Sequence, residues 1–126
     1  MIKLTSGWEL AVKRGPNMLI VEVRCQEEET PEDLGLADRV WTLLQQHSTK
    51  RLVLDLREID VLDGSLPEEL RRLTELISGA NGGIRICGLS ERNQEAYRQM
   101  LGDDRLPVYR DPADAVFCSW RPQQPR

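Results

Sequence analysis

The chain is poor in the residues that most chemistry is built from. It has one histidine, His47, and no cysteine near it in sequence. A metal centre there lacks its customary ligands. Its three cysteines, Cys25, Cys87 and Cys118, are widely spaced and sit among apolar neighbours. That spacing gives no disulfide framework and predicts reduced structural thiols in a cytoplasmic protein. No apolar run approaches the ~18 residues needed to span a membrane, and the opening Met1-Ile2-Lys3-Leu4 is no signal segment, so export is not expected. Positive charge is not in excess. The net charge of −4 leaves no basic face for a phosphate backbone, which argues against nucleic acid as a partner. Glycines do not fall at phosphate-cradling spacing before a helix. Ser78-Gly79-Ala80-Asn81-Gly82-Gly83 leads into a strand and reads as a turn, so no nucleotide cofactor is implied.

What remains is a soluble single-domain composition. The length of 126 residues fits one domain. A hydrophobic content of 40% supplies a core and 30% charged residues supply a polar surface. Trp8 to Lys13 and Met18 to Val23 read as two strands joined by the turn Arg14-Gly15-Pro16-Asn17, a hairpin. The acidic run Gln26-Glu27-Glu28-Glu29 reads either as a solvated loop or as part of a partner-facing surface. Thr30-Pro31-Glu32-Asp33 predicts a helix start, with Thr30 as cap and Pro31 at the first position. Leu34, Ala37, Val40, Trp41 and Leu44 give that helix a buried face, and it should end near His47.

The central unit follows. Arg51-Leu52-Val53-Leu54-Asp55-Leu56 lacks alternation and predicts a strand buried on both faces. A polar turn, Asp63-Gly64-Ser65, comes next. Leu66, Leu70, Leu73 and Ile77 then recur at helical spacing. In an open α/β sheet, the edge where such a strand ends and such a helix begins is where ligands and partners are met. Ile84 to Cys87 predicts a further strand. Ser90 caps a helix over 91–101 whose inner face is Ala96, Tyr97 and Met100. Leu106 to Tyr109 is a short strand that Pro107 assigns to a start or an edge. Asp111 and Pro112 open a last helix with Ala113, Val116, Phe117 and Trp120 inward. The expected order is ββαβαβαβα: an α/β domain with a mixed, mostly parallel sheet of about five strands and an opening β-hairpin. The domain spans 1–120, and 121–126 is a flexible tail.

Catalysis requires convergent groups, and none is visible in the sequence. Asp55, Asp60 and Asp63 lie close enough along the chain to hold a divalent cation in principle, but the flanking acidic pair and distant lysine of a receiver-type site are missing. No catalytic, cofactor-binding or metal-binding residue is assigned.

Three stretches carry a resemblance to a known family. They are Val53-Leu54-Asp55-Leu56, Ile59-Asp60 with Leu62-Asp63-Gly64-Ser65 and the leucine-striped helix, and Asn81-Gly82-Gly83 through Ser90. Together they resemble the signature of STAS domains, and the element order matches from Trp8 to Trp120. The informative motif spans about a dozen residues. The family includes bacterial anti-sigma factor antagonists. In these, a serine or threonine in an Asp-Ser-Ser/Thr-Gly turn is phosphorylated by a partner that is both anti-sigma factor and serine kinase, and the unphosphorylated form captures that partner. Carried over by position, the resemblance implies a cytoplasmic regulator of transcription, not an enzyme. Ser65 is then its phosphorylation site, and Asp63, Gly64, Ser65 and Leu66 its partner-binding turn. Glu28 and Glu29 join that surface by the same carry-over.

This sequence departs from the pattern at Gly64, Leu66 and Pro67. Gly64 replaces the first hydroxyl residue and Leu66 the glycine. Two readings of Ser65 stand: a solvent-facing switch residue, or a helix cap completing a Ser-x-x-Glu box with Glu68. Two readings of the chain follow: a phospho-switched antagonist, or a constitutive STAS-type subunit of a signalling or lipid-transport assembly.

Overall fold

The computed structural model describes residues 2–5, 8–15, 17–25, 35–59, 66–101 and 108–113. Six strands and three helices follow in the order β1 (Ile2–Thr5), β2 (Trp8–Gly15), β3 (Met18–Cys25), α1 (Leu36–Gln46), β4 (Arg51–Asp55), α2 (Leu66–Gly79), β5 (Gly83–Cys87), α3 (Glu91–Leu101) and β6 (Val108–Tyr109). The expected α/β fold is present. The β2–β3 hairpin pairs Gly15 with Met18 at its tip, and Asn17 there takes the left-handed conformation that asparagine tolerates. β1 is an addition to the expected order. Its four residues pair antiparallel with β2 at the sheet edge, and four residues are too short a run to carry a periodic signal.

The strands lie in sequence order, β1-β2-β3-β4-β5-β6. The first two pairings are antiparallel and the last three parallel. Right-handed crossovers through α1, α2 and α3 step the same way across the sheet, which puts all three helices on one face. The main core forms there. Leu36, Val40 and Leu44 of α1, Leu66, Leu70, Leu73 and Ile77 of α2, and Tyr97 of α3 meet Leu19, Val21, Leu52, Leu54 and Ile86 of the strands. The opposite face carries a smaller cluster of Met18, Val53 and Cys87, with Ile20 and Tyr109 against it. β4 sends side chains into both clusters. From Leu52 to Leu56 every one of its residues is buried, as the run without alternation predicts.

Helix α1 starts later than the sequence suggests. Gly35 stands at its N-cap position with φ 71° and makes no side-chain cap. A left-handed residue there sets the start of α1 at Leu36. The orphan Ala37 N–H instead donates to the Glu69 carboxylate of α2 at 3.2 Å. Arg72 of α2 also reaches Asp38 of α1 at 2.8 Å. The cap is tertiary, so no local motif announces it. His47 is the C-cap of α1, at the expected end. Thr30 to Leu34, Leu106, Pro107 and the last helix beyond Ala113 lie outside the described residues, as does the tail at 121–126.

Candidate functional site

The C-terminal edge of the parallel strands is pinned from several sides. β4 ends at Asp55, and the Leu56 N–H donates across to the Cys87 carbonyl at 3.0 Å. The chain then turns, with the Ile59 N–H donating to the Leu56 carbonyl at 3.1 Å. The Ile59 carbonyl accepts from the Asn93 side-chain amide at 2.9 Å. Asn93 is buried, so this bond links α3 to the segment after β4 in a place where water does not compete. Ser90 Oγ accepts the Asn93 N–H at 3.1 Å, which makes Ser90 the cap of α3 that the sequence predicts. On the far side Leu66, the first residue of α2, has its side chain fully enclosed in the core. Residues 60–65 therefore connect two anchors, Ile59 and Leu66, that are both buried.

Beside these anchors runs a row of alternating charge. The β3–β4 register sets Glu22 next to Asp55. Arg57 holds the two carboxylates together. Its Nε lies 3.0 Å and its Nη2 2.9 Å from Asp55 Oδ2, its backbone N–H donates to Asp55 Oδ1 at 3.1 Å, and Nη2 lies 3.5 Å from Glu22 Oε2. Arg24 Nε donates to Glu22 Oε1 at 2.6 Å. The hydrogen bond and charge of Asp55 hold the Arg57 guanidinium above arginine's ordinary range, and Glu22 does the same for Arg24. The Asp55 side chain is 2% exposed and that of Arg57 54%. The carboxylate is thus a buried acceptor filled by a surface guanidinium and is not available as a cation ligand. Among the described residues no group of three acidic, histidine or cysteine side chains gathers as a metal site.

Gly88 makes room for this pair. It has φ +80°, and a Cβ there would run into the Arg57 Cγ and stand 2.6 Å from Asp55 Oδ1. Only glycine fits both the backbone and the space.

The first turn of α2 is acidic, with Glu68 exposed and Glu69 half-buried. Arg71 and Arg72, the nearest cations on the helix, already face carboxylates. Arg71 Nη1 lies 3.9 Å from Glu68 and Arg72 Nη2 2.8 Å from Asp38.

Of the residues singled out in the sequence, Leu66 is described. Its side chain belongs to the core, and what it presents at this edge is its position at the start of the helix. Asp60, Asp63, Gly64, Ser65, Glu28 and Glu29 lie outside the described residues. Sequence reasoning missed Arg57, Gly88, Asn93 and Glu69. The glycine at 88, following a buried strand, was the one available signal. Asn93 and Glu69 act across the fold and leave no local trace, and Arg57 pairs with Asp55 two residues before it, which no periodic pattern marks.

No protein-family model and no curated protein matches the chain. Among solved structures, RsbS of Moorella thermoacetica, in a form with one serine changed to glutamate, superposes with a TM-score of 0.71. The identity is 12%, over 85% of this chain and 91% of that one. RsbS is an STAS-domain anti-sigma factor antagonist. The superposition covers most of both chains, and this chain has the fold of an STAS domain.

Proposed function

We propose that the chain is a non-catalytic regulatory module of the anti-sigma factor antagonist type, acting in the cytoplasm. Its docking surface is the turn between β4 and α2, with Asp63, Gly64, Ser65 and the start of α2 at Leu66, together with Glu28 and Glu29 from the acidic run. The partner is an anti-sigma factor that is also a serine kinase. One observation carries the reading: α2 begins at Leu66, so Ser65 is the residue directly before a helix whose first turn holds Glu68 and Glu69. A phosphoserine adds about −1.5 to −2 charges at neutral pH. The helix dipole favours that charge, but the two glutamates oppose it, and Arg71 and Arg72 are already turned to Glu68 and Asp38. Phosphorylation of Ser65 then raises negative charge at the turn and releases the partner. The likeness in fold to RsbS supports the class of function.

Incubation with the partner kinase and ATP, followed by mass spectrometry, tests the switch. Phosphate should appear on Ser65. Ser65→Ala should capture the partner persistently, and Ser65→Asp should fail to bind it. Absence of phosphate on Ser65, together with wild-type binding by Ser65→Asp, refutes the switch. That result would favour the second reading, a constitutive STAS-type subunit of a signalling or lipid-transport assembly. The prior engagement of Arg71 and Arg72 supports this second reading, because it leaves a phosphate without a ready counter-charge on α2.

A further inference from the structure

At the other edge of the sheet, where β4 and β5 begin, the chain forms a half-open cavity of about 520 Å³. Three connections form its walls: the β2–β3 turn, the link from α1 to β4, and the link from α2 to β5. Arg14, Lys50 and Arg51 line it with three full cations, His47 adds an imidazole, and no carboxylate is among the described lining residues. The whole chain carries a net charge of −4, so this concavity runs against the average of the surface. Arg14 and Lys50 make no ion pair with any described residue.

Helix dipoles compete with this reading. α1 and α2 both end at this edge, and each helix C-terminus acts as about half a negative charge. Two such ends offset about one of the three cations. Compensation of the dipoles accounts for His47 and Lys50, which follow α1. It does not call for Arg14, which comes from the hairpin.

The walls are fixed before any ligand arrives. Thr49 Oγ1 donates to the Asn17 carbonyl at 3.1 Å, joining the hairpin turn to the α1–β4 link. The Gly83 N–H donates to the Lys50 carbonyl at 2.9 Å. Gly82 packs so closely on Lys50 that a Cβ would collide with its carbonyl oxygen. Asn17, Ser48 and Asn81, the non-glycine residues with positive φ among the described residues, all line this cavity. Each has a local reason, at the hairpin turn or just past a helix end. Their joint effect is a rigid rim, which lowers the ordering cost of binding.

The lining also says what the ligand lacks. Among the described lining residues there is no Trp, Tyr or Phe to stack on a base, and the one ring is the imidazole of His47. The polar side chains Asn17, Ser48, Thr49 and Asn81 suit hydroxyl and phosphate oxygens. The volume falls in the ~300–1,000 Å³ range of small-molecule sites. We infer that this cavity binds a small, non-aromatic anion bearing two phosphate groups, of the hexose bisphosphate or pyrophosphate kind. Arg14 and Arg51 supply planar guanidinium forks to the phosphates and Lys50 a point charge. The site is at the edge opposite the β4–α2 turn and does not rest on the proposed docking function.

Calorimetric titration of the full chain at physiological ionic strength tests this, with pyrophosphate and a hexose bisphosphate as probes. AMP and anionic phospholipid vesicles form the comparison arms. Saturable one-to-one binding of at least one probe is expected. Arg14→Ala and the double change Lys50→Ala with Arg51→Ala should each weaken it about tenfold or more, the scale of losing a charge-assisted hydrogen bond. Arg14→Lys, which keeps the charge and loses the fork, should bind between wild type and Arg14→Ala, and an unchanged urea midpoint of Arg14→Ala shows that its loss is not a loss of folding. Ser65→Asp should bind as wild type does. No saturable binding at millimolar probe, equal binding by the alanine variants, binding of vesicles alone, or AMP binding as tightly as the bisphosphate would each overturn the assignment.

Discussion

Replacing Gly88 with alanine tests how the C-terminal edge is held together. The residue has φ +80°, where a side chain costs about 1 kcal/mol relative to glycine. The added methyl also has nowhere to go. It would stand 2.6 Å from Asp55 Oδ1 and against the Arg57 side chain, so the carboxylate–guanidinium pair must part. Breaking a fully buried pair costs about 3–5 kcal/mol. Arg57 is half exposed and regains water when displaced, while Asp55, at 2% exposure, does not, which brings the cost to about 2 kcal/mol. The sum is about 3 kcal/mol, measured as a fall in the urea midpoint with unchanged slope. Gly79→Ala is the control. Nothing lies within 4 Å of its added carbon, and it should be neutral or stabilising by up to about 1 kcal/mol. In an Arg57→Ala background the pair is already gone and the Asp55 carboxylate can turn aside, so Gly88→Ala should cost clearly less than in the wild type, with the backbone part of about 1 kcal/mol as its floor. An equal cost in both backgrounds refutes the idea that Gly88 is there to seat Arg57 and Asp55.

Two further substitutions address contacts that cross the fold. Asn93→Ala removes the donor to the buried Ile59 carbonyl. It should destabilise by about 1–3 kcal/mol and speed hydrogen exchange of the Ile59 amide; unchanged exchange would show that Asn93 does not hold this segment. Glu69→Ala removes the acceptor of the Ala37 N–H. A loss of about 1 kcal/mol, with faster exchange confined to the first turn of α1, is expected, and exchange spread evenly over the molecule would argue against a capping role.

The parts of the fold that were legible in the sequence are those that repeat. The unbroken run from Leu52 to Leu56 gave β4, and the leucine stripe gave α2 with the four buried residues it has. Ser90 gave the start of α3, since a serine cap acts within three residues. What sequence missed acts at long range or in few residues. β1 is too short to show a period. The start of α1 at Leu36 carried no local signal because Glu69, more than thirty residues away, satisfies its N-terminus while Gly35 turns the chain. The candidate site was legible as a place, the end of β4 and the start of α2. The charge row that stabilises it was not, because Glu22 joins the local Asp55–Arg57 pair only through the β3–β4 register. The basic cavity was hidden because its cations come from two stretches far apart in an acidic chain, Arg14 in the hairpin and Lys50 and Arg51 before β4.

The sequential strand order has a consequence for how the molecule is made. Among the described strands, none has to insert between two that are already paired. As the chain leaves the ribosome, the β2–β3 hairpin can close first, and every later strand then adds to a free, growing edge with its covering helix already synthesised. Each step closes only a local loop, so the entropy of bringing distant segments together is met in small increments. The chain can therefore be built outward from one end, and a nascent fragment that stops after β4 already contains the hairpin, α1 and the strand that α2 will cover.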